Sequence, residues 1–137
     1  MHRTEGLPGG MTTNCAAAAT AYTKVTAGGQ STRAMALSLH HDAVRYLDDA
    51  MDQFDYQRRA DAEDLVCRAS AVLALLRRSV ADCGATVGAD LRALYDYLTR
   101  KLAAVPSCDN PRELVGSVLR AVLALTSLFE SGLAHAR

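Results

Sequence analysis

From Leu37 onward the chain repeats apolar side chains at spacings of three and four, the pattern of amphipathic helices that bury one face. Leu39, Ala43, Tyr46, Leu47, Ala50 and Phe54 make one stripe, and Leu37, Val44 and Met51, each seven residues apart, make a second ridge beside it. The pattern predicts a first helix that begins after Ser31, an N-capping residue type, and runs to Phe54 or Tyr56. A second helix is expected from about Ala60 to Asp82, with Leu65, Val66, Ala69, Val72, Leu73, Leu76 and Val80 on one face and Arg68, Arg77 and Arg78 off it. Gly84 suits its C-terminal stop.

A third helix is expected from about Gly88 to Ala104, ending before Pro106. At about 100° per residue, Leu91, Leu94, Tyr95, Leu98 and Leu102 share one stripe. Tyr97 falls on its flank with Ala93, Lys101 and Ala104. A large aromatic there either covers the edge of a core or waits for a partner. The fourth helix has the clearest start. Asn110 can cap, Pro111 fits the first helical position, and Glu113 completes a variant of the capping box. Its face is Leu114, Val118, Val122, Leu125 and Phe129, widened by Val115, Leu119, Leu123 and Leu128.

No strand-like alternation of useful length occurs. Four amphipathic helices on short connections predict an all-α fold, an antiparallel four-helix bundle over residues 30–137. Residues 1–29 are rich in Gly, Ala and Thr without periodicity and read as a mobile N-terminal tail. The apolar arcs are wider than the roughly 100° that a simple core requires. The surplus has three uses: a broad core, a homodimer seam, or a groove for a partner helix.

Composition narrows the function. A chain of 137 residues is one domain with one core. Half of it is hydrophobic but only 5% is aromatic, so the core is aliphatic. The net charge of zero argues against nucleic acid, which needs clustered cations, and against an anionic membrane surface. It also leaves little self-repulsion. Cys15, Cys67, Cys83 and Cys108 form no C-x-x-C pair and no zinc spacing, which fits reduced thiols in a cytoplasm. No apolar run is read as approaching the ~20 residues of a membrane span, so no membrane insertion is expected. Ala16 to Ala19 is too short for a signal peptide.

Candidate chemistry is sparse. His40 and His41 are adjacent, so on a helix they point about 100° apart and chelate one ion poorly. One is expected at the core edge and one in solvent. The predicted apolar stripes hold no Asp, Glu, Lys or Arg, so no acid, base or nucleophile constellation faces inward. Gly28-Gly29 lacks the phosphate-loop pattern and its lysine. No catalytic residue, metal or cofactor is assigned, and an enzyme is not expected.

Three segments carry a resemblance. Leu94-Tyr95-Asp96-Tyr97-Leu98 resembles the leucine, Tyr-x-Tyr, leucine signature on the third main helix of the flagellar secretion chaperone FliS family. Leu39-His40-His41-Asp42-Ala43-Val44-Arg45-Tyr46-Leu47, then Ala50, resembles that family's first helix, and Tyr22 to Ser31 resembles the segment before it. The resemblance spans about Tyr22 to Glu130. His40, His41 and Asp42 stand where the family usually has Tyr, Asp and Gly, Thr32 replaces a usual proline, and Phe129 lies near a usual tryptophan.

The resemblance implies a cytoplasmic export chaperone. Its partner would be the C-terminal helical region of flagellin, held for type III secretion and kept from premature polymerisation. Together with helical geometry it points to Leu37, Val44 and Met51 on the first helix, Tyr97 and Lys101 on the third, and Tyr22 and Val25 before the bundle as partner-binding residues. A second reading, resting on the altered Tyr-Asp-Gly triplet, is a paralogous helical adaptor for another secreted or regulatory protein.

Overall fold

The computed structural model describes residues 32–80 and 85–135. Tyr22, Val25, the expected cap Ser31 and the expected tail over residues 1–29 lie outside them. Among the described residues there are four α-helices: α1 Thr32–Asp55, α2 Arg59–Ser79, α3 Ala85–Ala103 and α4 Pro111–His135. A 3-10 turn, Val105–Ser107, links α3 to α4. No strand occurs among them.

The boundaries have local causes. α1 ends at a left-handed residue, Gln57 with φ 61°. There Gln57 N–H donates to the Phe54 carbonyl and Arg58 N–H to the Gln53 carbonyl, closing the last turn as a Schellman motif normally does with glycine. α4 starts as expected: Glu113 N–H donates to Asn110 Oδ1 at 3.4 Å while Asn110 Nδ2 donates back to Glu113 Oε1 at 2.9 Å. α3 starts at Ala85, three residues before the expected Gly88. Gly88 is needed inside the helix instead. A Cβ there would meet the Val80 carbonyl oxygen at 2.7 Å, so only glycine lets α3 approach the end of α2 this closely.

The helices run antiparallel. Arg112 at the start of α4 pairs with Asp55 at the end of α1, and His41 near the start of α1 reaches Glu130 late in α4 at 3.5 Å. Arg59 at the start of α2 donates to the carbonyls of Val105 and Pro106 beyond α3. α1 packs extensively against both α2 and α4; α3 packs on α2 and touches α4 only sparsely. The bundle is thus tight around α1 and open along the α3/α4 seam.

The core is aliphatic, with Leu39, Leu47, Leu73, Leu76, Leu98, Leu102, Val115, Val118 and Val122 buried about one aromatic, Tyr95. Two expected faces shift. On α2, Ala62, Ser70 and Leu75 are also buried, while Leu65 is only half-buried. On α4 the centre is Val115, Val118 and Val122, and Leu114 is half-buried, because close packing on α1 rotates the helix toward its β-branched side. One further expectation needs correcting. Pro111–Ser131, 21 residues, is long and apolar enough by length and composition alone to cross a membrane. Arg120 is the one charged residue between Glu113 and Glu130. The core helix of a soluble protein passes the same test, and one face of this helix lines the bundle core.

Candidate functional site

The two tyrosines of α3 divide as the helical geometry requires. Tyr95 is wholly buried, whereas Tyr97 is 48% exposed. The Lys101 ammonium lies 5.3 Å from the Tyr97 ring centroid and donates across the seam to Ser117 Oγ of α4 at 3.2 Å. Tyr97 and Lys101 therefore act as one unit on the side of α3 that faces α4.

The α1 ridge lies elsewhere. Leu37, Val44 and Met51 are half-buried, and Val44 and Met51 pack against the core. The Met51 methyl sits 3.4 Å from where a Cβ of Gly116 would be, so this ridge borders the opposite side of α4. Arg112 with Asp55, Gly116 with Met51 and Glu130 with His41 fix one antiparallel register. That register sets Leu123 level with Val44.

Two residues missing from the sequence-based set are the most exposed large apolar side chains among the described residues of α4. Leu123 is 46% and Leu128 67% exposed. Helical spacing puts Leu123 on the α1 side and Leu128 on the α3 side. Their signal was legible as the widened arc of α4, but a helix wheel alone does not show which side of a wide arc the core leaves uncovered. α4 thus carries apolar surface on both flanks. One edge is Leu37, Val44, Met51, Leu119 and Leu123; the other is Leu94, Tyr97, Lys101, Ala121 and Leu128.

The edges differ in charge. Beside the α1 ridge, Asp48, Asp49 and Asp52 are exposed and make no ion pair with a described residue. At the α3/α4 seam, Lys101 has no carboxylate partner among the described residues.

The histidine pair is structural in its geometry. His40 is fully buried, not at the core edge as expected. Its Nδ1 is 2.7 Å from the Ala36 carbonyl and its Nε2 is 2.8 Å from the Tyr95 hydroxyl. Its ring packs on Phe129 at 4.5 Å. Desolvation holds its pKa below the ordinary 6.5, opposed by the Ala36 hydrogen bond and aided by His41. His41 is exposed and lies by Glu130, and Asp42 pairs with Arg45. Among the described residues no group of three or more His, Cys, Asp or Glu could hold a metal ion. The surface offers apolar area with charged rims and no reacting group, which suits holding a polypeptide.

A family model described as flagellar protein FliS matches residues 14–131. No curated protein and no solved structure matches the chain. The match takes in all of α1, α2 and α3, most of α4 and the Tyr-x-Tyr helix, and the chain belongs to the FliS family of flagellar export chaperones.

Proposed function

We propose that this chain binds the C-terminal region of flagellin in the cytoplasm and holds it, unpolymerised, for flagellar type III secretion. The observation that supports this most is the pair of half-open apolar edges on either side of α4. A helix laid along each edge would bury Val44, Met51 and Leu123 on one side and Tyr97, Ala121 and Leu128 on the other. Flagellin's terminal segments build the filament core, so they are sticky before assembly. A chaperone that orders them against an existing apolar surface removes that stickiness.

The binding residues proposed are Leu37, Val44, Met51, Tyr97 and Lys101, joined by Leu123 and Leu128. Tyr22 and Val25 would contribute from the segment before α1. The adaptor reading rests on the altered triplet alone, of which His40 is bonded to Tyr95 in the core while His41 and Asp42 lie at the surface beside Glu130 and Arg45.

Co-purification with the host's flagellin, and with a flagellin lacking its C-terminal ~40 residues, tests the reading. That length is what two bundle-length helices require. Retention of full-length flagellin and loss of the truncated form is the expected result. Equal retention of both, or of neither, would overturn it.

A further inference from the structure

Lys101 is a half-buried residue at a seam lined mostly by apolar side chains. Its one hydrogen bond to a described residue goes to a neutral hydroxyl, Ser117 Oγ, and its other neighbour is the Tyr97 ring. An ammonium has three donors. While the seam is open, water serves the remaining two. A helix that covers Leu94, Tyr97 and Ala121 would exclude that water. Covering a cation without supplying an anion costs more than a hydroxyl and a ring face return.

Elsewhere the bundle meets its cross-helix cations with anions or carbonyls. Arg77 of α2 pairs with Asp96 of α3 at 2.6 Å, Arg112 pairs with Asp55, and Arg59 binds the carbonyls of Val105 and Pro106. Only sparse contact closes α3 onto α4, and there α4 presents Ser117.

We infer that the α3/α4 seam takes an amphipathic helix of the partner that carries a carboxylate aimed at Lys101. The Lys101–Ser117 bond sets the register, and one turn higher the antiparallel helices bring Tyr97 level with Ala121, then Leu94 level with Ala124. The partner's apolar stripe lies on these residues and Leu128, and its acidic flank faces Lys101. The inference rests on the chaperone reading for the partner's identity. The chemistry demanded of that partner comes from the seam itself.

The test uses the full chain and calorimetry. The probe is the C-terminal segment of the host's flagellin, with each of its carboxylates changed singly to the amide. Lys101→Met keeps the aliphatic stem over the apolar surface while removing the charge. It should weaken binding by about thirtyfold or more, as loss of one partner of a covered charge pair does. One carboxylate-to-amide peptide should show the same loss against the wild-type protein and no further loss against Lys101→Met, the mark of a coupled pair.

If every amide peptide loses the same factor against both proteins, the inference falls and the flagellin reading stands. If no flagellin segment binds, that reading falls. The seam is then probed with two designed amphipathic helices of about 20 residues, identical except for Glu or Gln on one flank. A tenfold preference for Glu, abolished in Lys101→Met, supports the seam's chemistry; equal binding overturns it. A dimer in sedimentation that Lys101→Glu dissolves would assign the seam to a second copy and also overturn it. Should Lys101→Met not fold, the peptide series against the wild-type protein decides alone: a selective loss for one amide peptide supports the inference, and its absence overturns it.

Discussion

His40 of α1 and Tyr95 of α3, both wholly buried, meet across the middle of the bundle with Nε2 2.8 Å from the hydroxyl. The Ala36 carbonyl beside Nδ1 can only accept, so Nδ1 carries the proton. Nε2 is then the acceptor and the tyrosine hydroxyl the donor. The bond links two helices that are not neighbours around the bundle. Tyr95→Phe keeps the ring and leaves Nε2 without its donor. It should cost about 1–3 kcal/mol, the penalty for an unsatisfied buried polar atom. Urea unfolding followed by circular dichroism checks this. An unchanged midpoint would mean that water or another group replaces the hydroxyl.

The same pair makes stability depend on pH. Burial holds the folded-state pKa of His40 below 6.5, where the unfolded chain titrates. Above pH 6.5 both states are neutral at this site and the group has no effect. As the pH falls below about 6.5 the unfolded state takes up a proton that the folded state refuses, so stability declines. The decline stops once the pH passes the lowered folded-state pKa. His40→Gln should flatten this part of the profile, measured as the difference in unfolding free energy between variant and wild type. A difference that is constant from pH 7 downward through the acid range would contradict the sign argued here.

Leu98 and Tyr97 are adjacent but differ in burial, 1% against 48% exposed. Leu98→Ala should lose about 2–5 kcal/mol, the range for truncating a buried leucine. Tyr97→Ala should lose far less, since its ring covers the core's margin. Equal shifts in denaturant midpoint would place the two side chains in similar surroundings, against the geometry.

The separation of these two residues was legible in the sequence because helix rotation is fixed by covalent geometry and one stripe of α3 is plainly the core. The cap at Asn110 was legible for the same local reason. The place of Gly88 was not. A glycine there reads as a boundary, and only the tertiary approach of Val80 shows that it is a packing position. His40 read as an edge residue because a polar ring is expensive to bury, and its partner, Tyr95, lies 55 residues away. Pairings of that range leave no trace in periodicity. The two exposed leucines of α4 lay within a recognised wide arc, and which positions of that arc stay open is set by how α1 and α3 pack against the helix.

That openness yields the last prediction. Leu123 is level with Val44 on the α1 edge, yet Leu123 is 46% exposed and Val44 is packed against the core. Leu123→Asp should therefore leave the thermal midpoint nearly unchanged, while Val44→Asp should lower it by placing a carboxylate among core neighbours. Both should weaken capture of flagellin's C-terminal segment, because each puts a charge where a partner's apolar stripe must lie. Tyr97→Ala should weaken it on the other edge by on the order of 2 kcal/mol, about thirtyfold, as truncating an exposed aromatic anchor does. Tyr56, 70% exposed at the α1–α2 turn, lies off both edges. Tyr56→Ser should bind as the wild type does and guards against a general loss of surface hydrophobicity as the cause. Melts and calorimetry on the same samples separate folding from binding. Folded Leu123→Asp and Tyr97→Ala proteins with wild-type affinity would remove both edges of α4 from the binding surface. Loss at one edge alone would confine the partner to that side.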